Sequence, residues 1–441
     1  MLAELKLSKS QKYGKKSEKA PRGTFNEAEQ HKTTEPPKHH KKGKQILAEH
    51  FEREEVEHTL TELTCQCCGE QLHQCGSEDS EQVKIIPAKV NVIKHKQFKY
   101  ACRHCEHEQL ASKIITAPKP KQPIPGSIAS PEALSAVVTG KYCDALPLYR
   151  FVDILGRGGL ELSRGTLANW CIKAGLLISP LVAAMQRHLL SEHSLCADET
   201  RTQVLDEGDN PSSNSYMWVY RSNEVSREPV VIYDYQAGRS RACAKEFLAG
   251  YQGYLQCDGY RVYDGIEGIT PVGCWAHARR KYNDALKAES KNKGRAHKAI
   301  SFISQLYKLE THAKNKQLSP QARYQLRQEK ALPILMHFKA WLDEAEGKVT
   351  AGSYIGKAIK YTLNQWPKLM RYSEDGELGI DNNITERDIR PFTTGRKNWL
   401  FSKSINGAQA SATLYSIVMT CRANDINPYY YFVHLFKTLP N

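Results

Sequence analysis

Three acidic residues, Asp198, Asp258 and Glu386, carry the clearest chemical signal in the sequence. Asp198 and Asp258 each fall near the end of a predicted strand, with two strands and a helix predicted between them. Carboxylates that lie close together repel each other, and such a cluster becomes favourable when divalent cations bind between them. Mg²⁺ prefers oxygen ligands and keeps positions open for phosphate oxygens. Two such ions can activate an attacking oxygen and stabilise a leaving one, so the acids predict phosphodiester chemistry.

Glu386 lies in the run GIDNNITERDIRPFTTGRKNWLFS, residues 379–402, which mixes acids with many cations. One interpretation is a solvated surface helix, and the other is a metal-holding carboxylate beside a phosphate chain. Asp381 is a rival metal ligand. Together with Asn382 and Asn383 it better suits a helix N-cap, because short polar side chains accept hydrogen bonds from free helix N–H groups.

The cations of this run are predicted to contact phosphate: Arg387, Arg390, Arg396 and Lys397. Arg387 and Arg390 cannot both share the direction of Glu386, so at least one should face phosphate or pair with Asp388. Proline cannot donate a helical hydrogen bond, so we expect Pro391 to end or kink the helix. Gly395, Arg396 and Lys397 should then form a basic turn beyond it.

A second basic segment, CWAHARRKYNDA at residues 274–285, follows a predicted strand and begins a predicted helix. Its cations could hold backbone phosphates: Arg279, Arg280 and Lys281. Cys274-x-x-His277 resembles half of a zinc site, but no second pair lies nearby in sequence. His277 is therefore either a packed, hydrogen-bonded histidine or a neighbour of the active site.

Four of the thirteen cysteines form two CxxC pairs, Cys65 with Cys68 and Cys102 with Cys105. A CxxC turn places two thiolates on one side of a tetrahedron, and two such turns at the ends of a β-hairpin complete a structural zinc site. The β-type sequence between the pairs fits that hairpin. Neighbouring side chains could substitute for one ligand: Cys67, Cys75, His104 and His107.

A helix, a Gly-rich turn and a second helix are predicted in YRFVDILGRGGLELSRGTLANWCIKAGLL. Ser163 could cap the second helix, with Leu167, Trp170 and either Ile172 or Ala174 on its apolar side. Arg164 and Thr166 in the first turn would face a DNA groove, as in recognition helices. Simple packing of a helical hairpin is the alternative.

The elements that position the acids follow from the order of the patterns. Short β-type runs with one helix occupy residues 194–275, helices occupy 276–372, and the chain after 408 is helical. Strand–strand–helix between two strand-end aspartates is the layout of a ribonuclease H-like sheet, in which the first and fourth strands are neighbours. This layout lets Asp198 and Asp258 share one metal site.

The charge of the chain points to a polyanion partner. Its 62 Lys and Arg outnumber 48 Asp and Glu, which gives a net charge of +14 over 441 residues. Residues 1–48 hold twelve of these cations against five acids and read as a solvated, disordered tail. No apolar stretch approaches the length of a membrane span, and the start lacks a signal peptide. The prediction is a cytoplasmic protein that associates with the nucleoid, without a membrane partner.

The quoted motifs resemble those of the insertion sequence 66 family of bacterial DDE transposases. ADET, QCDGY, CWAHARRK and DNNITERDIRPFTTGRKNWLF carry the resemblance, together with the CxxC module, KYCDALPLYR…LSRGTLANW and KYGKKSEK. The resemblance implies a catalytic triad of Asp198, Asp258 and Glu386. It also implies two Mg²⁺ or Mn²⁺ ions, structural Zn²⁺, hydrolysis at terminal inverted repeats and attack of the freed 3′-OH on target DNA. Homo-oligomers on DNA and accessory proteins of the same element would take part.

The predicted architecture is an α/β catalytic core, ribonuclease H-like, with a mixed five-stranded sheet and an all-α insertion. A zinc-binding β module and a helical DNA-binding region precede it. The domains are a disordered basic tail (1–48), the zinc-finger module (49–112), a Pro-rich linker (113–130), the helix-turn-helix-like region (131–192), the core (193–284 and 376–407), the insertion (285–375) and C-terminal helices (408–441). The alternatives are a DNA-binding regulator, an inactive remnant or a structure-specific nuclease of the same fold.

Overall fold

The computed structural model describes residues 89–101, 114–207, 215–288 and 294–440, together with the single residues 55, 67, 70 and 82. Val90–Asn441 belongs to one compact unit and Glu29–Lys89 to another, and the elements below all belong to the first. The four cysteines predicted to bind zinc lie outside the described residues: Cys65, Cys68, Cys102 and Cys105.

A mixed five-stranded sheet lies at the centre, as predicted. Its strands are β3 (Ser194–Thr202), β4 (Ser215–Ser222), β5 (Val231–Gln236), β6 (Gly253–Gln256) and β7 (Ile269–Val272). The strand order is β5-β4-β3-β6-β7. The β3–β4 and β4–β5 pairs are antiparallel, and the β3–β6 and β6–β7 pairs are parallel. A short antiparallel pair, β1 (Lys99–Tyr100) and β2 (Ile115–Thr116), precedes it.

Twelve helices surround or extend the sheet in the described part of the chain. They are α1 (Pro131–Tyr142), α2 (Leu148–Arg157), α3 (Arg164–Leu189), α4 (Arg241–Phe247), α5 (Trp275–Ala288), α6 (Arg295–Asn315), α7 (Pro320–Leu326), α8 (Leu332–Glu346), α9 (Tyr354–Met370), α10 (Asn383–Trp399), α11 (Ile405–Ala423) and α12 (Pro428–Thr438). Ser163 caps α3, as predicted, by accepting from Thr166 N–H, and Asn427 caps α12 by accepting from Tyr429 N–H.

One face of the sheet is covered by α11, with α1 and α3 in the same apolar core. Two hydroxyls of α11 bond directly to β5: Tyr233 N–H donates to Ser416 Oγ at 2.8 Å, and Val231 N–H donates to Thr420 Oγ1 at 3.0 Å. Polar groups on a buried helix face are stable here because each finds a backbone partner. The helix is therefore fixed in register on the sheet.

Among the described residues, α3 is the one helix long and apolar enough to cross a membrane by length and composition. From the sequence we expected no apolar stretch of this length. In the structure, Leu167, Ala174 and Ile178 of α3 are buried in the core that also contains α1 and α11. Gly175 faces Ala410 so closely that an added Cβ would stand 2.8 Å from Ala410 Cα. Its apolar composition is explained by this packing.

The helices α5, α6, α8 and α9 form a separate apolar core beside β7, at the predicted all-α insertion. Arg327, fully buried in a π-helical turn after α7, ties this region to the chain ahead of α10. Its guanidinium contacts both carboxylate oxygens of Glu310, at 2.9 and 2.8 Å. It also donates to the carbonyls of Tyr372, Asp375 and Leu378.

Candidate active site

Asp198 and Asp258 are brought together by the parallel pairing of β3 with β6. The last paired residues are Cys196 and Gln256, and two residues further along each chain reaches an aspartate. Neighbouring strands lie about 4.8 Å apart, so the two carboxylates share one edge of the sheet. The prediction that the strand ends on Asp198 was wrong. The strand continues to Thr202 because β4 pairs with it as far as Ser215.

Asp198 is a buried acid among other acids. Burial raises its pKa well above the ordinary value, and the negative charges of Glu199, Asp258 and Glu386 raise it further. A hydrogen bond from Glu199 N–H at 2.8 Å partly offsets these effects. Asp258 and Glu386 are thus each close enough to Asp198 to affect its charge.

Glu386 reaches this group because Asn382 attaches the start of α10 to β3. Asn382 is fully buried, and its Nδ2 donates to the carbonyl of Ala197, the residue before Asp198, at 2.9 Å. Its N–H donates to Cys274 Sγ at 3.2 Å, and Thr385 Oγ1 donates to its Oδ1 at 2.7 Å. One amide side chain thus sets the distance between the third acid and the first.

Gln256 adds a second tie to the same segment. Its Nε2 donates to the carbonyls of Gly273 and Gly379, at 3.2 and 2.9 Å. Trp275 N–H also donates to the carbonyl of Ile380 at 3.1 Å. The sheet, α5 and the chain entering α10 are thereby joined just beside Asp258. These long-range bonds have no local signal in the sequence.

Two side chains of α5 contact Glu386. Arg280 Nη2 lies 3.2 Å from both carboxylate oxygens, and His277 Nε2 lies 3.5 Å from Oε1. Burial and the nearby charge of Arg280 lower the pKa of His277 despite the opposing effect of Glu386. His277 Nδ1 is buried with no hydrogen-bond partner in the described part of the chain. Of the two interpretations of His277, the structure favours the neighbour of the acids.

The predicted phosphate contacts of α5 differ in exposure. Arg280 and Lys281 are exposed, whereas Arg279 is buried and its guanidinium lies 5.7 Å from the ring centre of Tyr307. Arg280 therefore lies between the acids and solvent. Arg279 faces the insertion.

The cations of α10 also have distinct surroundings. Arg387, Arg390 and Lys397 are exposed, and Arg396 Nη1 donates to Thr200 Oγ1 at 3.3 Å. Asp388 forms an ion pair with the buried Arg221 of β4. In the first helical region Arg164 is exposed, while Thr166 Oγ1 lies 2.9 Å from Ser163 Oγ.

Pro391 does not end α10 and no turn forms at Gly395, so the predicted ending and the basic turn were wrong. The helix runs from Asn383 to Trp399 and contains the whole basic segment. Buried Ile389 and Phe392 pack in the sheet core on either side of the proline. The Tyr233 hydroxyl also donates to the carbonyl of Asp388, which ties this part of α10 to β5. Tertiary packing thus overrides the intrinsic cost of the proline.

Asp381 caps the start of α10 instead of joining the acids. Its Oδ1 accepts from Asn383 N–H at 3.0 Å, and its Oδ2 accepts from Tyr307 OH at 2.7 Å. Both oxygens are therefore engaged away from Asp198. The cap interpretation of Asp381 is the one the structure supports.

Sequence reasoning missed Glu199, whose side chain is 1% exposed. Glu199 points to the opposite sheet face from Asp198, since neighbouring side chains alternate along a strand. It pairs with Arg239 and accepts from Tyr263 OH at 3.2 Å. Arg239 in turn lies 3.7 Å from the ring centre of Tyr260, whose N–H donates to Asp258 Oδ1 at 2.8 Å. The signal was present as a second acid in ADET, inside a predicted strand.

The residues fit a divalent cation by their chemistry. Asp198 and Asp258 lie at one end of neighbouring strands, and the negative charges of Asp258 and Glu386 add to the effect of burial in raising the pKa of Asp198. Within the described ranges, no three Cys, His, Asp or Glu side chains converge closely enough to form a ready-made metal site. Carboxylate oxygens are the ligands that Mg²⁺ prefers.

Comparison with known proteins defines the class of this protein as a transposase, with DNA as its partner. The chain belongs to the IS66 family, because the model described as "Transposase IS66 family" matches residues 126–410. The model of the zinc-finger binding domain of transposase IS66 matches residues 62–106, which include all four predicted zinc cysteines.

Similar proteins occur in Sinorhizobium fredii (strain NBRC 101917 / NGR234). The uncharacterized protein y4qI is 32% identical over 408 residues, which cover 89% of this chain and 73% of that protein. The uncharacterized protein y4jD is 30% identical over 397 residues, which cover 87% of this chain and 76% of that protein. The relationship thus extends over most of the chain.

Proposed function

We propose that this transposase cleaves and joins DNA through a DDE triad of Asp198, Asp258 and Glu386. The observation that carries the proposal is the placement of Asp198 and Asp258 two residues beyond the paired Cys196 and Gln256, with the start of the Glu386 helix bonded to Ala197. Burial and the two other acids raise the pKa of Asp198. Perturbed carboxyl groups of this kind are concentrated at functional sites. Intact acids on a positioned scaffold favour an enzyme over a DNA-binding regulator or an inactive remnant.

The sheet supports a ribonuclease H-like core. Its order β5-β4-β3-β6-β7, with three antiparallel strands followed by two parallel ones, matches the layout inferred from the sequence. Asp198 lies in β3, Asp258 follows the neighbouring strand β6 by two residues, and Glu386 lies on α10, which follows the helical insertion. Function still has to be argued from the site, because one fold serves many chemistries.

Asp198, Asp258 and Glu386 are the residues that would hold Mg²⁺ or Mn²⁺. When bound, two such ions supply activation of the attacking oxygen and stabilisation of the leaving oxygen. Asn382 and Gln256 hold the glutamate segment against the aspartate strands. Arg280 contacts Glu386 and is exposed, so it can also pair with a phosphate of the cleaved strand.

The DNA surface in this proposal combines several basic segments. Phosphate contacts come from Arg280 and Lys281 of α5 and from the exposed cations of α10. The N-terminal turn of α3, with Arg164 and Thr166, and the zinc module read the terminal inverted repeats. The family also leads us to infer a homo-oligomer on DNA, accessory proteins of the same element and a cytoplasmic, nucleoid-associated location.

A cleavage assay on the terminal inverted repeats of the element tests the function. The full chain should cut the transposon end in Mg²⁺ or Mn²⁺ and leave a 3′-OH that joins to target DNA. Binding of the repeats without any Mg²⁺-dependent cut would identify a regulator or remnant. Cleavage of branched or flapped DNA irrespective of the repeats would identify a structure-specific nuclease.

A further inference from the structure

Two large apolar side chains are exposed where α10 ends. Leu400 is 64% exposed and Phe401 is 43% exposed. Exposed apolar residues are common on protein surfaces, so exposure alone does not indicate a site. The backbone gives a second observation. Leu400 has φ 69° and ψ −51°, and Phe401 N–H donates to the carbonyl of Trp399 at 2.9 Å.

These angles and this bond define a γ-turn of the rare, strained kind with positive φ. A bulky residue seldom occupies positive φ, whereas glycine does so without steric cost. The sequence has leucine at the centre of the turn, and its side chain makes no buried packing that would explain the choice. Strain of this kind is found mainly where function requires a fixed conformation.

The turn is held on both sides by backbone hydrogen bonds. Leu400 N–H donates to the carbonyl of Arg396 at 2.6 Å, and Ser402 N–H donates to the carbonyl of Gln203 at 2.9 Å. Leu205 N–H then donates to the carbonyl of Ser402 at 3.0 Å, which joins the turn to the chain leaving β3. The two apolar side chains are therefore presented on a rigid support.

The surroundings suit DNA. Lys397 and Lys403 flank the turn in sequence and are exposed, and Arg396 lies one helical turn before Leu400. The facing segment carries two acids, Asp206 and Glu207, so the three cations are in excess by one. Basic residues around an apolar pair are the composition with which proteins enter and unstack DNA, where phosphate contacts hold the duplex and the apolar groups replace a base-stacking contact.

The turn is connected to the acids by two routes of similar length. Fourteen helical residues separate Glu386 from Leu400 along α10, or about 21 Å at the rise of an α-helix. Along the other route, six extended residues, or about 20 Å, separate Asp198 from Val204. Val204 pairs with Ser402 at the turn. Since base pairs stack about every 3.4 Å, one DNA end bound at the acids reaches the turn about six pairs away.

We propose that Leu400 and Phe401 form an apolar wedge that stacks against an unpaired base of DNA bound at the catalytic acids. This inference rests on the proposed function and adds to it a contact with unstacked DNA near the transposon end. The strained turn keeps both side chains directed outward before DNA arrives.

Binding to two DNA probes tests the wedge. Two duplexes that share one strand are titrated with the full chain by fluorescence anisotropy in buffer without Mg²⁺. One is fully paired, and in the other the second strand is mismatched over about six terminal pairs, the distance from the acids to the turn. The wild type should prefer the forked probe by about tenfold, the effect of one stacked base. The double variant Leu400→Gly/Phe401→Ala should reduce this preference to within about twofold and bind the paired probe normally.

Two controls separate a binding role from a structural one. Leu176→Ala removes another exposed leucine, 68% exposed on α3, and should keep the full preference. Leu400→Gly alone should not lower Tm, because glycine accepts the positive φ. A wild type without preference, a double variant that keeps it, or a fall in Tm for Leu400→Gly would overturn the wedge. Failure of the wild type to bind either probe would overturn the proposed DNA function itself.

Discussion

Asp198 is the central residue of the proposed site. Its carboxyl group is buried beside Asp258 and Glu386, and its pKa is raised by burial first and by the neighbouring acids next. A group that is costly to ionise is retained here because a bound cation would reverse the cost. Glu386, in contrast, has a cation within contact distance in Arg280.

The first prediction concerns the stability effect of Asp198→Asn. Above a pH of about 4, the ordinary pKa of an aspartate, Asp198 ionises readily in the unfolded chain but only at a cost in the folded chain. The free energy of unfolding therefore falls as pH rises from about 4 to the raised pKa of the folded state. Asparagine carries no such cost, so in buffer without divalent ions the variant should melt about 2 °C above wild type at pH 7. The gain should shrink at pH 5, as measured by differential scanning calorimetry.

Mg²⁺ should reverse this order, because it stabilises only the chain that can bind it. Wild type should gain Tm in Mg²⁺ while Asp198→Asn does not. Asp381→Asn is the matched control, since its acid lies in the neighbouring segment but caps α10. A variant less stable than wild type in metal-free buffer would show that Asp198 is not electrostatically destabilised.

At the scale of elements, α10 links the acids to the exposed turn. Its start holds Glu386 beside the sheet, and its end leads into the turn at Leu400. Asn382 fixes the first end by its bond to Ala197, and Trp399 precedes the second. The sequence predicted the helix and its polar start correctly. It could not predict the anchor on β3, because that bond joins residues far apart in the chain, nor the passage through Pro391, because core packing decides it.

Removing the Asn382 anchor should impair both stability and chemistry. Asn382→Ala leaves buried polar groups without partners and should cost about 1–3 kcal/mol in urea unfolding. Mg²⁺-dependent cleavage should fall as well, since Glu386 loses its fixed distance from Asp198. The exposed Asn398 of the same helix donates to the carbonyl of Ala145, and Asn398→Ala should cost less than about 0.5 kcal/mol. Equal effects of the two substitutions would contradict the anchoring role.

Arg327 joins the helical insertion to the segment just before α10 by donating to three of its carbonyls. Burial would raise the pKa of Glu310, but hydrogen bonding from Arg327 and the charges of Arg327 and Arg323 hold it below its ordinary value. Arg327→Met should therefore lower the free energy of unfolding by about 3–5 kcal/mol, because three carbonyls lose their donor and the buried Glu310 keeps only Arg323 as a partner.

Adding Glu310→Met to Arg327→Met should recover part of this loss, which a double-mutant cycle would measure. The exposed pair of Lys314 and Glu224 serves as a comparison, and its removal should cost less than about 1 kcal/mol. If Arg327→Met lowered the free energy of unfolding no more than that surface substitution does, the contacts of Arg327 with the segment before α10 would be unimportant for stability.

At the scale of the whole molecule, the sequence predicted the five-stranded mixed sheet. Alternating apolar patterns marked its strands, and the site proposed at the acids stays a prediction. Glu199, the burial of Arg279 and the attachment of α3 to the sheet core escaped prediction. Each depends on which distant surface covers the residue, and periodicity along the chain does not contain that information.

Zinc binding is the prediction that belongs to this scale. The purified chain should contain about one zinc ion, held by Cys65, Cys68, Cys102 and Cys105, and chelation should remove a thermal transition of residues 60–107. Cys102→Ser should lose the metal by atomic absorption, whereas Cys67→Ser should keep it. Loss of zinc from the Cys67 variant would instead move that cysteine into the ligand set.

The most direct test of the central claim compares triad variants on the transposon end in Mg²⁺. Asp198→Asn, Asp258→Asn and Glu386→Gln should each abolish strand cleavage while binding the terminal repeat with wild-type affinity, and Asp381→Asn should cut it. Cleavage retained by any one of the first three would remove that residue from the triad. If Asp381→Asn lost cleavage while the other three variants retained it, the metal site would have been assigned to the wrong acids.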